Sequence, residues 1–481
     1  MIPQTSLPTK RATHNVVKET PGPTGHAKRN IDDTVTSAFK LLIDEGLLRH
    51  IQQATMTEAR TVLGDNTWTM SIAELEAFLA LLYARGAYAS KGLSIDSLWS
   101  TKWGPKFFRE TMSRNRFKEI MRFIRFDVKS TRSLRLQTDK FALASTPWNT
   151  FIENSILCYK AGENITIDEQ LFPSKARCRW TQYIASKPDK FGIKFWLAVD
   201  CASKYLVNGF PYLGKDDSRP PGVRLGDSVV MKLMKPYIGK GRNVTTDNFF
   251  TSLKLAEDLM RNKTSIVGTV NRVRRELPPS VHDVKPALHS TKLHRYSDIS
   301  LTTYRCKPKK NVVLMSSLHP TVTIGNDEKK LPETVHFYNN TKYGVDVVDQ
   351  MARKYSVKAS SRRWPVHVFY NILDLAAINA WVLYKEVTGK TITRQDFILQ
   401  LAEELSAAYA KERQTKALSS ETFGTDRETP TTAKMKRRHC QIAKCKGLKT
   451  VDTCTCCHKA VCTQCTAKIS RICKICDSTN D

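Results

Sequence analysis

The chain has 481 residues, more than one domain's worth, and 76 lysines and arginines against 46 aspartates and glutamates give it a formal net charge of +30. A positive excess of this size, concentrated in clusters, predicts a polyanionic partner, most often nucleic acid, in preference to a merely basic protein. The first thirty residues are polar, which argues against a secretory signal, and the most apolar long stretch, residues 366–384, is interrupted by polar side chains and predicts a buried helix.

The first third of the chain is predicted to be a disordered basic tail followed by helices. Proline and glycine interrupt residues 1–33, which predicts the tail. Residues 34–163 read as the first part of a helical domain, in which Ser71 and Glu74 have the spacing of a capping box. Apolar residues then recur on one helix face, namely Ile72, Leu75, Leu79 and Leu82.

Near residue 164 the pattern changes to short strands, and residues 164–271 are predicted to form the first part of an α/β core. The predicted order is strand, strand, strand, helix, strand, helix, strand. It puts Asp168 on the first strand and Asp247 just past the fourth. In a mixed sheet of this order the first and fourth strands can lie side by side, so the two aspartates are expected to meet.

A basic segment, residues 272–332, is predicted to be a small β-rich insertion in the core. Its charges are expected to follow DNA phosphates, with a solvated basic surface as the alternative. The DNA-binding candidates in it are Arg272, Arg274, Arg275, Lys307, Lys309 and Lys310. The core resumes over residues 333–355, where Asp346 and Asp349 have i, i+3 spacing and share a face of a predicted helix.

The remaining chain is predicted to hold more helix, a linker and a cysteine-rich end. Residues 356–414 read as the second part of the helical domain, and residues 439–481 as a zinc-binding domain. The linker between them, residues 415–438, ends in a basic run that predicts nuclear localisation or, alternatively, phosphate contacts. The basic residues of this run are Lys434, Lys436, Arg437 and Arg438.

The aspartates lie at the edges of apolar or β-branched runs, where a side chain can project from a rigid element into a cleft. A lone aspartate there is usually structural, but several brought together repel one another unless a cation lies between them. Mg²⁺ suits that position, because it is a hard cation that carboxylates and substrate phosphates bind. A carboxylate site for two such ions can cut and join phosphodiesters.

Three segments carry a family resemblance. ITIDEQL at 165–171, TTDNFFTS at 245–252 and YGVDVVDQM at 343–351 resemble the catalytic blocks of piggyBac-type transposases. The resemblance implies a multidomain α/β fold with a ribonuclease-H-like catalytic core, a β-rich insertion, flanking helical segments for dimerisation and DNA binding, and a C-terminal cross-brace zinc domain. It also implies that Asp168, Asp247 and Asp346 bind two Mg²⁺ ions and that Asp349 is a fourth acidic member of the catalytic site.

The same resemblance implies a cut-and-paste DNA transposase. Such an enzyme excises transposon ends through hairpin intermediates and integrates them at TTAA sites by hydrolysis and transesterification. It is expected to act in the nucleus as a homodimer on double-stranded DNA, without a membrane partner. The alternative is a domesticated DNA-binding protein that has lost transposition, because only a short basic tail precedes the helical domain where the family often carries a long acidic region.

The RRWP block at residues 362–365 adds two DNA-binding candidates, Arg363 and Trp364. In one interpretation Trp364 binds DNA, by stacking on a base or by wedging into distorted target DNA. In the other it is a core tryptophan before a helix that starts at Pro365. The sequence leaves these two interpretations open.

The cysteine-rich end predicts metal binding, since nine of the thirteen cysteines lie between Cys440 and Cys476 and the chain has no mark of secretion. Four pairs of cysteines have spacings that suit two tetrahedral Zn²⁺ sites: Cys440, Cys445, Cys454, Cys457, Cys462, Cys465, Cys473 and Cys476. The spacing suggests a cross-brace, in which the first and third pairs share one ion and the second and fourth share the other. His439, Cys456 and His458 are possible substitutes. RING domains share this pattern, so a zinc-finger ubiquitin ligase is a third functional hypothesis. The lysines near the cysteines favour DNA binding instead.

Overall fold

The computed structural model describes residues 2–3, 17–215, 219–281, 287–422, 438–442, 445, 449–450, 453 and 459–465. The chain divides into two compact units, Met1–Arg413 and Gln414–Asp481. The first unit contains the aspartate segments and the second contains the cysteine-rich end. Of the predicted basic run, Lys434, Lys436 and Arg437 lie outside the described residues.

A run of helices precedes the main strands of the first unit, and further helices lie between and after those strands. The helices are α1 (Gly25–Asn30), α2 (Val35–Lys40), α3 (Glu45–Leu63), α4 (Ile72–Ala87), α5 (Ile95–Leu98), α6 (Lys106–Thr111), α7 (Arg114–Phe123), α8 (Arg132–Thr138), α9 (Ser145–Cys158), α10 (Leu225–Met234), α11 (Leu253–Arg261), α12 (Glu333–Thr341), α13 (Gly344–Lys354), α14 (Trp364–Thr388) and α15 (Arg394–Thr422). The strands are β1 (Ile2–Pro3), β2 (Gly22–Pro23), β3 (Tyr159–Lys160), β4 (Asn164–Pro173), β5 (Thr181–Tyr183), β6 (Phe191–Asp200), β7 (Leu206–Pro211), β8 (Asn243–Thr246), β9 (Ser265–Thr269), β10 (Thr291–Tyr296), β11 (Ile299–Lys307) and β12 (Lys310–Ser316). The last residues of α15 belong to the second unit, which begins at Gln414 and also contributes β13 (Arg438–His439) and β14 (Lys449–Thr450).

A ten-stranded sheet forms the centre of the first unit, in the order β1-β10-β11-β12-β9-β8-β4-β6-β5, with β7 also paired to β6. β4, β6 and β7 pair antiparallel in succession, whereas β8 pairs parallel with both β4 and β9. Helices α10 and α11 make the connections from β7 to β8 and from β8 to β9. This is a ribonuclease-H-like arrangement, and it confirms the predicted fold class.

The parallel pairing of β4 with β8 sets the positions of two aspartates. Ile167 lies opposite Thr246 at the last paired position of the two strands. β-branched residues fill this stretch of both strands, which suits strands that are buried in a sheet. Asp168 and Asp247 are the next residues along each strand, so they emerge side by side where the pairing ends.

The insertion continues the core sheet. β10, β11 and β12 form an antiparallel ladder, and β12 then pairs with β9, with Met315 opposite Gly268. The segment is β-rich, as predicted, but it is an extension of the sheet. An exposed edge of β9 would leave N–H and C=O groups unpaired, and β12 satisfies them.

Helix α14 is the buried centre of the helical domain. By length and composition it could cross a membrane, but 94% of its most apolar window is buried inside the fold, against neighbours that include α2, α9 and α13. Its polar residues have internal partners: Asn379 binds the Leu206 backbone, and Asp374 accepts a hydrogen bond from Ser356 at 2.6 Å. The predicted buried helix is therefore confirmed.

Residues 17–33 differ from the predicted disordered tail. The Ala27 amide donates to Thr24 Oγ1 at 3.3 Å, which caps α1, and Ala27 is fully buried. Glu19 forms an ion pair at 2.8 Å with Arg242, whose side chain is only 1% exposed. The proline and glycine of this segment form β2 and the approach to the helix cap, and the buried contacts outweigh the entropy lost on ordering.

Candidate active site

Three aspartates meet at one cavity of about 230 Å³ in the first unit. Asp168 comes from β4, Asp247 follows β8, and Asp346 belongs to the first turn of α13. We call these three residues the carboxylate cage. The other residues that line the cavity are Thr166, Ile167, Thr245, Thr246, Tyr338, Lys342 and Tyr343.

Backbone amides hold the first two carboxylates. The Glu169 amide donates to Asp168 Oδ1 at 2.8 Å, and the Phe249 amide donates to Asp247 Oδ1 at 2.9 Å. The positions of both side chains are therefore set by the strand ends from which they project.

The position of Asp346 depends on how α13 lies on β4. Gly344 packs so closely on Thr166 that a Cβ atom at Gly344 would lie 2.5 Å from Thr166 Oγ1. The same hydroxyl donates to the Thr341 carbonyl at 2.6 Å, just before the helix begins. Glycine is required here by the close approach, which brings the exposed Asp346 to the mouth of the cavity.

The carboxylates of Asp168 and Asp247 are half-buried and close to other negative charges. Burial, followed by the charges of Glu169 and Asp247, raises the pKa of Asp168 to about 8. Burial, together with the charge of Glu169, also raises the pKa of Asp247. A divalent cation between these groups would reverse both effects, because it stabilises the charged form of each carboxylate.

The donor set fits a hard divalent cation such as Mg²⁺. Carboxylate and hydroxyl oxygens line the cavity, and the described lining residues include no thiol or imidazole. Asp168, Asp247 and Asp346 are the residues that would hold such an ion.

Asp349 lies outside the cavity, in contrast to its predicted place in the catalytic site. Gln170 Nε2 donates to Asp349 Oδ1 at 3.2 Å, and Arg353 forms an ion pair with Asp349 at 3.0 Å. Three helix residues advance by about 4.5 Å, which carries Asp349 past Asp168 towards the next residue on the same face of β4. Asp349 instead lines a neighbouring cavity of about 210 Å³.

Two lysines beside the cage were missed in the sequence. Glu169 lies 3.9 Å from Lys187 and 3.8 Å from Lys194, measured between side-chain oxygen and nitrogen atoms. Lys194 also lies over the Trp196 ring at 3.8 Å. Both lysines belong to residues 186–200, between the first two aspartates, but a lysine in a strand or turn has no spacing that marks it as part of a site.

The basic candidates of the insertion fall into two groups. Arg274 donates to the Asn248 carbonyl at 2.9 Å and lines a cleft of about 430 Å³ together with Arg224. This cleft begins at the residues that directly follow Asp247. Of the other candidates, Arg272 is half-buried, whereas Arg275, Lys307, Lys309 and Lys310 are exposed.

Arg363 and Trp364 have internal partners, which corrects their assignment as DNA contacts. Arg363 donates to the carbonyls of Ile124, at 2.7 Å, and Met121, and so satisfies the C-terminal end of α7. Burial, and then the charge of nearby Arg125, lowers its pKa to about 10. Trp364 packs on Phe141 and Trp180, with ring centres 5.6 and 5.1 Å away. The geometry favours the core tryptophan of the two interpretations.

A four-cysteine cluster lies in the second unit. The sulfur atoms of Cys440, Cys445, Cys462 and Cys465 all lie within 4.8 Å of one another. These are the first and third cysteine pairs, the grouping that a cross-brace requires, and four thiolates suit tetrahedral Zn²⁺. His439 is not in this cluster. The remaining candidates, Cys454, Cys456, Cys457, His458, Cys473 and Cys476, lie outside the described residues.

Comparisons with known proteins agree with this geometry. The family described as Transposase IS4 matches residues 34–381. The human PiggyBac transposable element-derived protein 3 is 26% identical over 304 residues, which cover 60% of this chain and 50% of that protein. The human PiggyBac transposable element-derived protein 2 is 25% identical over 217 residues, which cover 41% of this chain and 36% of that protein. The chain thus spans half or less of these curated relatives.

A solved structure is similar over nearly the whole chain. It is the cryo-EM structure of a piggyBac transposase synaptic complex with hairpin DNA, with a TM-score of 0.78 and 28% identity. The similarity covers 95% of this chain and 100% of that one.

Proposed function

Because the chain belongs to the piggyBac-type transposase family, we propose that it is a cut-and-paste DNA transposase that cleaves and joins DNA strands at its carboxylate cage. The observation that carries the proposal is the convergence of Asp168, Asp247 and Asp346 on one cavity. Each of the three comes from a different element, so the arrangement is not a local accident of sequence.

The cage residues would hold two divalent cations, with Mg²⁺ the natural choice for three carboxylates. When bound, such ions activate the attacking water or DNA hydroxyl and stabilise the leaving oxygen of the phosphodiester. The chain's own contribution is to fix Asp168 and Asp247 by backbone hydrogen bonds and to deliver Asp346 on α13. The half-buried Lys194 would contribute positive charge beside the site where DNA phosphates would lie.

We propose that the substrate is double-stranded DNA, namely transposon terminal repeats and TTAA target sites, and that cleavage proceeds through hairpin intermediates. We also propose that the protein acts as a homodimer in the nucleus. The formal charge of +30 supports a DNA partner. The exposed lysines at the turn between β11 and β12 support phosphate contacts by the insertion. The remaining features rest on family membership. The solved complex that resembles this chain is named for its hairpin DNA.

Zinc in the second unit is part of the proposal. Cys440, Cys445, Cys462 and Cys465 would hold one ion, since their sulfur atoms already lie within reach of a common centre. The second and fourth cysteine pairs are proposed to hold another. The unit would then present its surrounding lysines to transposon-end DNA.

The test is strand cleavage and strand transfer by the purified full-length protein, with Mg²⁺ and transposon ends taken from the DNA that flanks its gene. We expect nicked, hairpin and TTAA-joined products. Asp168→Ala, Asp247→Ala and Asp346→Ala should abolish cleavage, and Asp258→Ala, which alters a surface ion pair on α11, should not. Full cleavage by the three cage variants would overturn the assignment.

A second candidate, a domesticated DNA-binding protein without transposition activity, has one observation in its favour. Both curated relatives described above are named as proteins derived from transposable elements. In this case the native protein binds DNA but leaves every strand intact with Mg²⁺ or Mn²⁺. Terminal inverted repeats ending in TTAA beside the coding sequence would favour the active transposase instead.

A further inference from the structure

Arg353 connects three elements around the carboxylate cage. Its guanidinium donates to Asp349 on the same helix at 3.0 Å, to the Leu171 carbonyl of β4 at 3.3 Å, and to Asp189 in the turn before β6 at 2.6 Å. Arg353 follows Asp346 by about two helical turns, so both residues lie on the face of α13 that meets β4.

Helix α13 contacts β4 on both sides of the cage. At its start, Gly344 packs directly on Thr166. Further along, Gln170 donates to Asp349 at 3.2 Å and is itself held by Asn371, whose Nδ2 donates to Gln170 Oε1 at 2.8 Å. The cage lies between these two contacts, because Asp168 falls between Thr166 and Gln170 on the same face of the strand.

Between these two contacts, Asp346 of α13 and Asp168 of β4 share one cavity, and carboxylates brought together repel one another unless a cation lies between them. Asp168 and Asp247 project from strand ends of the sheet, whereas the position of Asp346 depends on the side-chain contacts that hold α13 on β4. An arginine suits the task of holding that helix, because its planar guanidinium offers several donors in a fixed fork. Arg353 uses the fork on two carboxylates and one carbonyl, at the end of the helix opposite to Gly344.

Asp189 extends the connection to a turn that reaches the cage. The Ile184 amide donates to the Lys190 carbonyl at 2.8 Å and closes this turn. Within it, Lys187 Nζ donates to the Glu169 carbonyl at 3.2 Å, next to Asp168 on β4. Arg353 therefore joins the helix that carries one cage ligand to a turn that is anchored beside another.

We propose that Arg353 is a positioning residue that holds α13 on β4 and so forms the carboxylate cage before a cation binds. The inference rests on the proposed function, since it takes the cage to be a divalent-cation site. It adds a residue and a partner, Asp189, that neither the sequence motifs nor the cage geometry had assigned. Arg353 does not line the cavity of the cage. We therefore expect it to act through the position of α13, so that its loss lowers the affinity of the cage for the ion.

The test is Mn²⁺ binding to the zinc-loaded full-length protein without DNA, by titration calorimetry or electron paramagnetic resonance. Loss of a residue that orients metal ligands typically weakens binding by about 10-fold or more, and we expect Arg353→Gln to raise the Mn²⁺ dissociation constant by about 10-fold. Arg353→Lys, which keeps the charge but loses the fork, should fall between this variant and the native protein. Asp189→Asn should weaken binding less, and should add nothing to Arg353→Gln in the double variant.

Arg125→Gln is the matched control. Arg125 is 23% exposed, close to the 26% of Arg353, and pairs with Glu58 at 2.7 Å, away from β4 and α13. It should leave Mn²⁺ binding unchanged. Native-like affinity in Arg353→Gln would overturn the positioning role, and if that variant does not fold, native-like affinity in the surface variant Asp189→Asn would do so. If the native protein itself shows no Mn²⁺ site that Asp168→Asn removes, the cage fails as a cation site, and that result is distinct from a failure of Arg353.

Discussion

The carboxylate cage and the cysteine cluster are assembled by opposite routes. The cage takes its ligands from β4, the end of β8 and α13, and a ten-stranded sheet brings them together. The cluster takes its four ligands from residues 440–465, and the described part of that stretch buries few apolar side chains, among them Ala460 and Val461. In the first case the fold forms the site. In the second we expect the ion to form the fold, because so short a segment has too little core of its own.

Removal of a cluster ligand is expected to give the largest effect. Cys462→Ser takes away one of four thiolates, and structural Zn²⁺ contributes about 10 kcal/mol or more to the folding of small zinc domains. We expect bound zinc to fall and residues 439–481 to become sensitive to protease, while the thermal transition of the first unit is unchanged. Zinc content and limited proteolysis measure the two effects.

Cys306→Ser is the control for this prediction. Cys306 is a half-buried free cysteine of β11 that donates to the Lys310 carbonyl at 3.3 Å, outside the cluster. Its loss should change neither zinc content nor proteolysis. A Cys462→Ser protein with native zinc content and protease resistance would show that the cluster does not depend on a metal.

Removal of a cage ligand is expected to have the opposite result: cleavage activity is lost, whereas the fold is kept. Asp247→Asn keeps an oxygen for the Phe249 amide but removes a negative ligand. The rate of strand cleavage at saturating Mg²⁺ should fall by more than about 100-fold. Loss of a residue that only orients a metal ligand can already lower activity by roughly that factor, and Asp247 is itself a proposed ligand. The melting temperature without metal should stay the same or rise, because burial raises the pKa of Asp247 and the charge is unfavourable there. A large fall in melting temperature with cleavage intact would contradict the comparison.

The pH dependence of stability tests whether the charged cage carboxylates destabilise the metal-free fold. The pKa of Asp168 is raised by burial to about 8, well above the value of about 3.9 expected in the unfolded chain. The protonated form therefore stabilises the metal-free fold fully below about pH 4, and this stabilisation is lost as the pH rises towards 8. We expect the free energy of unfolding to fall more over this range in the native protein than in Asp168→Asn, whose amide does not titrate.

Mg²⁺ provides the control for the pH experiment. The ion binds the charged carboxylates of the folded state, so it should restore most of the stability that the native protein loses at high pH. Denaturant titrations at several pH values, with and without Mg²⁺, measure the difference. Equal pH profiles for native and Asp168→Asn proteins would mean that the environment of the cage does not raise the pKa of Asp168.

The sequence predicts the strand-borne half of the cage because the signals there are local. The β-branched runs before Asp168 and Asp247 are typical of buried strands, and the order of elements makes the two strands neighbours. The i, i+3 spacing of Asp346 and Asp349 also predicts a shared helix face. It does not predict where that helix lies along β4, and that position puts Asp346 at the cavity and Asp349 beside Gln170.

The contacts that the sequence does not predict all join distant segments. Arg353 meets Asp189, and Arg363 meets the end of α7, only after the sheet and helices have packed. Charge alone misled in the second case, because a basic residue beside a tryptophan looks the same in sequence whether it binds DNA or caps a helix. The hydrogen bonds of the half-buried Arg363 to carbonyls at the end of α7 favour the helix-capping role.

The smallest effect is expected from that helix-end contact. Arg363→Gln removes the hydrogen bonds to Ile124 and Met121 and should lower the free energy of unfolding of the first unit by roughly 1 kcal/mol. This contribution of a single side chain is much smaller than the contribution expected from zinc in the second unit. Chemical denaturation measures it.

DNA binding by the same variant separates fold from function. Because Arg363 is engaged inside the protein, the slope of log affinity against log salt should be unchanged in Arg363→Gln. Lys310→Gln, at the exposed turn between β11 and β12, should reduce that slope by about one without loss of stability if the turn contacts a phosphate. A reduced slope in Arg363→Gln with native stability would reverse the assignment, because it would mean that Arg363 leaves α7 to bind DNA.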